Sequence, residues 1–125
     1  MWFARNKVLD FKGNRWLILE VERGDHETWG HIAPQISKHL VAVMNRETKN
    51  KITELCIAEI GKQKEFSKLL ESDLKIQQIH VHGFVQKILE KDPIVSLPID
   101  YSPSDLEEWA SMQKVDVQIL HRLWS

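Results

Sequence analysis

Alternating apolar and polar positions near the N-terminus predict a β-hairpin. Residues 7 to 11 (KVLDF) and 15 to 22 (RWLILEVE) are rich in β-branched and aromatic side chains, and Gly13 and Asn14 lie between them. Two such runs joined by a short turn that contains glycine are typical of antiparallel strands. We therefore expect residues 7 to 22 to supply two paired strands.

A helical period follows the hairpin. Apolar residues recur at Ile32, Ile36, Leu40 and Val43, at steps of four, four and three, which is the spacing of one helix face. Pro34 then falls in the first turn, where the missing N–H of proline costs nothing. The pattern therefore predicts an amphipathic helix that begins close to residue 32.

The middle of the chain is harder to assign. Residues 52 to 60 (ITELCIAEI) are short, β-branched at several positions and followed by Gly61, so we predict a buried strand, with a helix as the competing interpretation. Residues 66 to 73 carry apolar side chains at i, i+3 and i+4 and predict a short helix. Residues 75 to 82 (KIQQIHVH) alternate, which predicts another strand that stops near Gly83.

Prolines punctuate the C-terminal third. Pro93 and Pro98 bracket the run IVSLPI, which predicts an edge strand or a loop because proline lacks the donor that an internal strand uses. A helix N-terminus is expected at Ser102 or Ser104, with the helix near 103–113. The order of elements predicts an α/β fold, with α+β as the alternative, in which helices flank a small mixed β-sheet.

Composition indicates a single globular domain. The chain has 125 residues, of which 42% are apolar, and its 17 Lys+Arg and 18 Asp+Glu give a net charge of −1. Residues 1–89, the expected α/β core, have a balance of +3, whereas residues 90–125, an acidic C-terminal extension, have a balance of −4. A nucleic acid partner should therefore meet the core, and the extension should contact another protein or a second copy of this chain.

The environment can also be inferred from composition. The one cysteine, Cys56, cannot close an intrachain disulfide, which favours a reducing, cytoplasmic location. No stretch approaches the roughly 18 consecutive apolar residues of a membrane span, and the N-terminus lacks a signal-peptide pattern. We expect a cytoplasmic protein with no membrane attachment.

Three acidic residues mark the candidate chemistry. Alternation along the second strand places Glu20 and Glu22 on one face, and the hairpin partner supplies Asp10. Carboxylates are costly to bury unless they bind a metal or a partner, and oxygen ligands suit Mg²⁺ or Mn²⁺. The alternative is that these residues are the solvated face of an ordinary amphipathic strand.

Asp10 followed after nine residues by Glu20-Val21-Glu22 resembles the active-site motif of the PD-(D/E)xK nuclease superfamily, in its rarer variant with two glutamates. Some branches of that family continue with a polar turn and a helix that bears a glutamine, similar to GDHETWGHIAPQISKHL here, so Gln35 is the matching residue. The resemblance implies a restriction-endonuclease-like core, here without its usual first helix. It also implies a metal-dependent nuclease or a degenerate relative of one.

The resemblance also suggests roles for individual residues. Asp10 and Glu20 would bind the metal, and Glu22 would orient or deprotonate the attacking water, or hold a second ion. Lys12 and Arg23 adjoin these residues in sequence and are candidates to contact substrate phosphate. The alternative function is a non-catalytic interaction module, such as an inhibitor, an immunity-type protein or a subunit of a defence or mobile-element complex.

Histidines form a second set of candidates. Three polar residues recur at i, i+4 and i+8 of the first predicted helix, namely His31, Gln35 and His39. They either border the carboxylates or form a solvated stripe. His80 and His82 form an HxH pair on a predicted strand, and with His26 or His31 they suggest a zinc site, although a half-exposed polar strand is the simpler interpretation.

The five tryptophans divide by position. Trp16, Trp29 and Trp109 are expected in the core because their apolar area dominates burial. Trp2 and Trp124 lie close to the two ends of the chain, where an exposed tryptophan more often marks a contact with another protein.

Overall fold

A computed structural model of the chain describes residues 1–101 and 103–121, which form a five-stranded mixed sheet in the order β1-β2-β3-β4-β5. The strands are β1 (Trp2–Ala4), β2 (Lys7–Asp10), β3 (Arg15–Leu19), β4 (Ile94–Ile99) and β5 (Val117–His121). The first three strands form an antiparallel meander, and β3, β4 and β5 are parallel to one another. The predicted α/β fold with a small mixed sheet is confirmed.

Helices fill both connections between the parallel strands. They are α1 (Ala33–Met44), α2 (Arg46–Lys62), α3 (Lys64–Lys68), α4 (Val81–Glu90) and α5 (Leu106–Ser111). A π-helical turn (Thr28–Ile32) precedes α1, a second (Leu69–Asp73) follows α3, and a 3₁₀ turn (Gln78–His80) precedes α4. Connections between parallel strands are right-handed, so two successive crossovers in the same direction place their helices on the same face of the sheet.

The core lies between that face and the helices. The register pairs Ile18 of β3 with Val95 of β4, and both side chains are buried. Trp16 is fully buried on the same face, and its Nε1 donates a hydrogen bond to the carbonyl of Lys91 at 2.7 Å. The buried apolar residues form two clusters, one that includes residues of β1, β2 and β3 and one that includes residues of β4. Leu40 of α1 packs against both clusters, so one apolar layer lies between the sheet and the helices.

The other face of the sheet is apolar and partly open. The register aligns Phe3, Val8, Leu17 and Ile94 across four strands, and Phe3 is exposed. Leu120 of β5 extends the same face and is also exposed. The helices cover the opposite face, so Phe3 and Leu120 meet solvent, whereas Val8 is buried between its neighbours.

Three elements predicted from the sequence are confirmed. β2 and β3 form the N-terminal hairpin, with Asn14 at a positive φ of 53° in its turn. α1 covers the predicted amphipathic helix, and Pro34 lies in its first turn. The short helix that was expected to end near residue 73 is present as α3 and the π-helical turn after it.

The strand predicted over 52–60 is wrong and the competing helix is correct, because this segment is part of the 17-residue helix α2. Its buried residues Ile52, Cys56 and Ile60 are spaced by four, as on a helix face. Gly61 lies inside the helix rather than ending a strand. Burial raises the pKa of the Cys56 thiol to about 12, so this cysteine is a packing residue.

The strand predicted over 75–82 is also wrong. This segment contains the 3₁₀ turn and the first residues of α4, and Gly83 is helical. The buried side chains of α4 continue at helical spacing beyond the glycine and are Val81, Val85, Ile88 and Leu89. His80 and His82 are exposed and do not lie on a strand, so the HxH pattern of a strand zinc site is not formed.

The IVSLPI run is an inner strand, not an edge strand or a loop. In a strand the nitrogen and the carbonyl of one residue face the same neighbour. The carbonyl of Pro98 accepts a hydrogen bond from the Glu22 N–H at 3.0 Å. The proline nitrogen, which has no hydrogen to donate, therefore also faces the chain beyond Leu19, where regular pairing of β3 has ended. β4 and β5 therefore complete the sheet, so the segment predicted as a C-terminal extension supplies two of its five strands. Helix α5 lies within the predicted range 103–113.

The tryptophan predictions divide in the same way. Trp16 and Trp109 are buried as expected. Trp2 is 4% exposed and belongs to the core, so its predicted role as a partner contact is wrong. Trp29 is 53% exposed and is not a core residue. Trp124 lies outside the described residues.

No helix within 1–101 or 103–121 has the length and apolar character needed to cross a bilayer.

Leu97 and Leu120 allow a matched test of which sheet face carries the core. Leu97 is fully buried under the helices, whereas Leu120 lies on the adjacent strand on the open face. We expect Leu97→Ala to lower the free energy of unfolding by about 2–5 kcal/mol and Leu120→Ala to lower it by less than about 1 kcal/mol. Urea denaturation of both variants measures the difference, and equal losses would contradict this assignment of faces.

Asp10 closes the hairpin turn. Its carboxylate accepts hydrogen bonds from the Gly13 N–H at 3.0 Å and from Arg15 Nε at 3.1 Å. The backbone hydrogen bond, together with the Arg15 guanidinium, holds the pKa of Asp10 below its ordinary value, against a smaller opposing effect of burial.

This lowered pKa predicts an acid-dependent contribution to stability. A carboxyl group whose pKa is lower in the folded state stabilises the protein above its unfolded-state pKa of about 4 and loses this effect as the pH falls through the folded-state pKa. Urea unfolding should therefore show a stability difference between wild type and Asp10→Asn at pH 7 that shrinks below about pH 4. The exposed Asp92→Asn is the control and should show no such change.

Candidate metal and carboxylate site

Glu20 and Glu22 lie where β3 ends, at the edge of the sheet to which the carboxyl ends of the parallel strands point. The Glu20 N–H donates to the carbonyl of Ser96, and Glu22 forms an isolated parallel bridge with Ile99. These contacts continue the alternation of β3, so both carboxylates lie on the helix-covered face. They are only 4% and 3% exposed, respectively. The solvated strand face considered as the alternative is therefore not what the structure contains.

Glu20 is held in a network of hydrogen bonds. Its Oε1 lies 2.5 Å from His39 Nδ1 and accepts from Asn6 Nδ2 at 3.2 Å. His39 belongs to α1, and Asn6 lies in the turn between β1 and β2. One buried carboxylate therefore joins the N-terminal meander, the end of β3 and the first helix.

Glu22 lies beside two histidines. Its Oε2 is 3.2 Å from His26 Nδ1 and 3.8 Å from His31 Nε2. The two imidazole rings are close together, with centroids 4.0 Å apart. One donor atom from each of the three residues lies within 4.8 Å of the other two. Burial falls from Glu22 to His26 to His31, so the cluster opens toward solvent on its histidine side.

The geometry of this cluster fits a divalent transition metal. In a tetrahedral site with bonds near 2.0–2.1 Å, donor atoms lie about 3.3 Å apart. The two carboxylate–imidazole distances are already close to this value, and the longest separation in the cluster must shorten by only about 1.5 Å. Two imidazoles and one carboxylate leave at least one coordination position for water or substrate.

The structure does not bring Asp10 and Glu20 together, so the metal pair expected from the resemblance is not formed. Asp10 pairs with Arg15 at the turn, which places Glu20 five residues away at the other end of β3, about 16 Å along the strand. Asp10 also shares a face with Arg15 and Leu17, whereas Glu20 lies on the opposite face. The short hairpin loop causes this arrangement, because it places the residues nearest the turn opposite each other.

The remaining predicted residues fall in two places. Lys12 is exposed in the hairpin turn, next to Asp10 and far from the glutamates. Arg23 follows Glu22 directly, and its Nη2 donates to Asp25 Oδ2 at 2.8 Å. Gln35 is half-buried on α1, one helical turn from His31 and one from His39.

The stripe of His31, Gln35 and His39 therefore borders the carboxylates, which was one of the two interpretations of the sequence. His26 was not assigned to this site from the sequence, because it lies in the irregular segment between β3 and the π-helical turn. The available signal was the spacing of Glu22, His26 and His31, with three and then four intervening residues. This spacing becomes informative only when the chain after β3 is known to turn back over Glu22.

The chain was also compared with known proteins. No protein family, curated protein or solved structure matches it.

Proposed function

We propose that this chain is a divalent-metal-dependent hydrolase of phosphodiester bonds in nucleic acid. The observation that supports the proposal most directly is the cluster of Glu22, His26 and His31, whose donor atoms lie within 4.8 Å of one another at the end of a buried strand. Ligands of α/β proteins bind outside the carboxyl ends of the parallel strands, which is where this cluster lies. The substrate class rests on the resemblance to PD-(D/E)xK nucleases.

The metal of this proposal has a different ligand set from the one expected on that resemblance. Glu22, His26 and His31 are the ligands, and neither Asp10 nor Glu20 takes part. Nitrogen donors favour Mn²⁺, Zn²⁺ or a related transition ion over Mg²⁺, which prefers oxygen ligands and near-ideal octahedral geometry. When bound, such an ion polarises a phosphodiester and lowers the pKa of a water molecule.

The protein supplies orientation around that centre. Glu20, through its contact with His39, ties α1 to the end of β3 and so fixes the helix that begins next to His31. Gln35 lies between His31 and His39 on the same stripe and is our candidate to donate to a substrate oxygen. Arg23, adjacent to Glu22, is the remaining candidate for contact with phosphate, and Lys12 is too far away.

Charge supports a bound cation at this edge. Glu20 and Glu22 are buried, and Asp25, Glu27 and Asp100 lie in the adjoining loops. A phosphodiester is repelled by such a surface unless a cation is present, and a divalent ion reverses the local field.

We also place the protein in the cytoplasm, since its single cysteine is a buried thiol.

A second candidate function is a non-catalytic interaction module. The open apolar face of the sheet, which includes Phe3, Leu17 and Leu120, favours it, because exposed apolar patches often mark contacts between proteins. On this alternative the partner surface is the sheet face, not Trp2 or the acidic residues after 90.

Metal binding can be tested without any substrate. Titration calorimetry with Mn²⁺ and Zn²⁺ should show one site in the wild type, and Glu22→Gln or His31→Ala should weaken it at least about tenfold because each removes a ligand. Asp10→Asn is the matched control and should bind as wild type does. Weakened binding in Asp10→Asn with normal binding in Glu22→Gln would instead support the ligand pair of the resemblance.

Hydrolysis is tested with labelled single- and double-stranded DNA and RNA, with Mn²⁺ and with chelator. We expect cleavage that requires the metal, falls to background in Glu22→Gln and is unchanged in Asp10→Asn. Glu20→Gln should retain the metal but cleave more slowly, because His39 loses its charged partner. Equal cleavage in wild type and Glu22→Gln would identify a contaminant or another site, and neither cleavage nor metal binding would favour the interaction module.

A further inference from the structure

A cavity of about 350 Å³ adjoins the metal cluster and is not needed for the proposed hydrolysis. Its walls are the loop at 24–29, which follows the two glutamates, and residues from the loop that follows β4. His26 belongs both to this wall and to the metal cluster. The cavity lies at the carboxyl edge of the parallel strands, where α/β proteins bind ligands.

The lining of the cavity combines aromatic rings with carboxylates. Trp29 and Tyr101 are both exposed although they are large aromatic residues. Asp25, Glu27 and Asp105 contribute carboxylates, and among the described lining residues there is no lysine or arginine. Asp25 is paired with Arg23, which lies outside the lining. The cavity is therefore electronegative, and its aromatic residues are of the kind that attracts cations.

The two loops are fixed to each other before any ligand arrives. Asp100 Oδ1 accepts from the Gly24 N–H at 2.6 Å and from the Tyr101 N–H at 3.0 Å. A Cβ added at Gly24 would lie 2.3 Å from the Tyr101 carbonyl oxygen and 2.5 Å from its ring. The absence of a side chain at Gly24 therefore allows Tyr101 to lie against the loop, and the cavity wall is built rather than incidental.

From these features we propose that the cavity binds an organic cation, an alkylammonium or guanidinium group. Aromatic rings and carboxylates attract such a group together, and its N–H donors suit the carboxylates. A phosphate is disfavoured because the lining is acidic. The cation comes either from a free polyamine or from a lysine or arginine side chain of a partner protein. The inference does not depend on the proposed hydrolase function.

Calorimetry and tryptophan fluorescence test this with four probes: spermidine, tetramethylammonium, Nα-acetyl-arginine amide and the neutral Nα-acetyl-citrulline amide. The cationic probes should bind at millimolar or lower concentration, and the citrulline compound should not. Trp29→Ala should weaken binding about fivefold, and Glu27→Gln by a similar factor. Glu107→Gln, an exposed carboxylate outside the cavity, is the control and should have no effect.

The probes also separate the two sources and the competing ligands. Preference for spermidine supports a free polyamine, and preference for the arginine compound supports a partner side chain. Equal binding of the arginine and citrulline compounds, or tighter binding of a nucleoside monophosphate than of any cation, would overturn the proposal. The Glu22→Gln variant should still bind the cations, so failure of the metal site leaves this result interpretable.

Discussion

The burial of two carboxylates at the end of β3 is the constraint on which the surrounding structure depends. Taking a carboxylate out of water costs several kcal/mol unless charged or hydrogen-bonding groups meet it. Glu20 is met by Asn6 and His39, and Glu22 by His26 and His31. These partners come from the first turn of the meander, the loop after β3, the π-helical turn and α1. The position of α1 over the sheet is thus set by hydrogen bonds as well as by its apolar face.

The two glutamates have different surroundings, which divides their roles. Glu20 faces the interior of the network and joins three segments, so its removal affects how α1 is held. Glu22 faces two imidazoles that open toward solvent, so it has the surroundings of a ligand. In the metal site that we propose, Glu22 is the ligand, whereas the resemblance suggested Glu20. This difference follows from where the histidines lie and not from the glutamates themselves.

Local patterns were sufficient to predict the hairpin, α1, the shared face of Glu20 and Glu22, and the stripe of His31, Gln35 and His39 beside them. They were insufficient where period and composition disagreed. The β-branched residues of 52–60 obscured a buried face with helical spacing, and Gly83 was interpreted as a stop although packing of α4 on the core outweighs its low propensity. Pro98 argued against an inner strand because proline has no N–H to donate. The argument fails here because the missing N–H faces the chain beyond Leu19, where regular pairing of β3 has ended. Asp10 was placed with the glutamates because alternation within one strand does not fix the register of the hairpin, which sets both the face and the distance of a residue on the partner strand.

The continuity of the π-helical turn with α1 has a thermodynamic consequence. One rigid element carries His31, which contacts Glu22, and His39, which contacts Glu20. A ligand that binds only the folded arrangement of the first pair stabilises the whole element, and at a concentration one hundred times its Kd it adds about 2.7 kcal/mol to the free energy of unfolding. Ligand binding at the edge of the sheet and the packing of α1 on the sheet are therefore linked equilibria. A ligand with a higher affinity would stabilise the packing of α1 more.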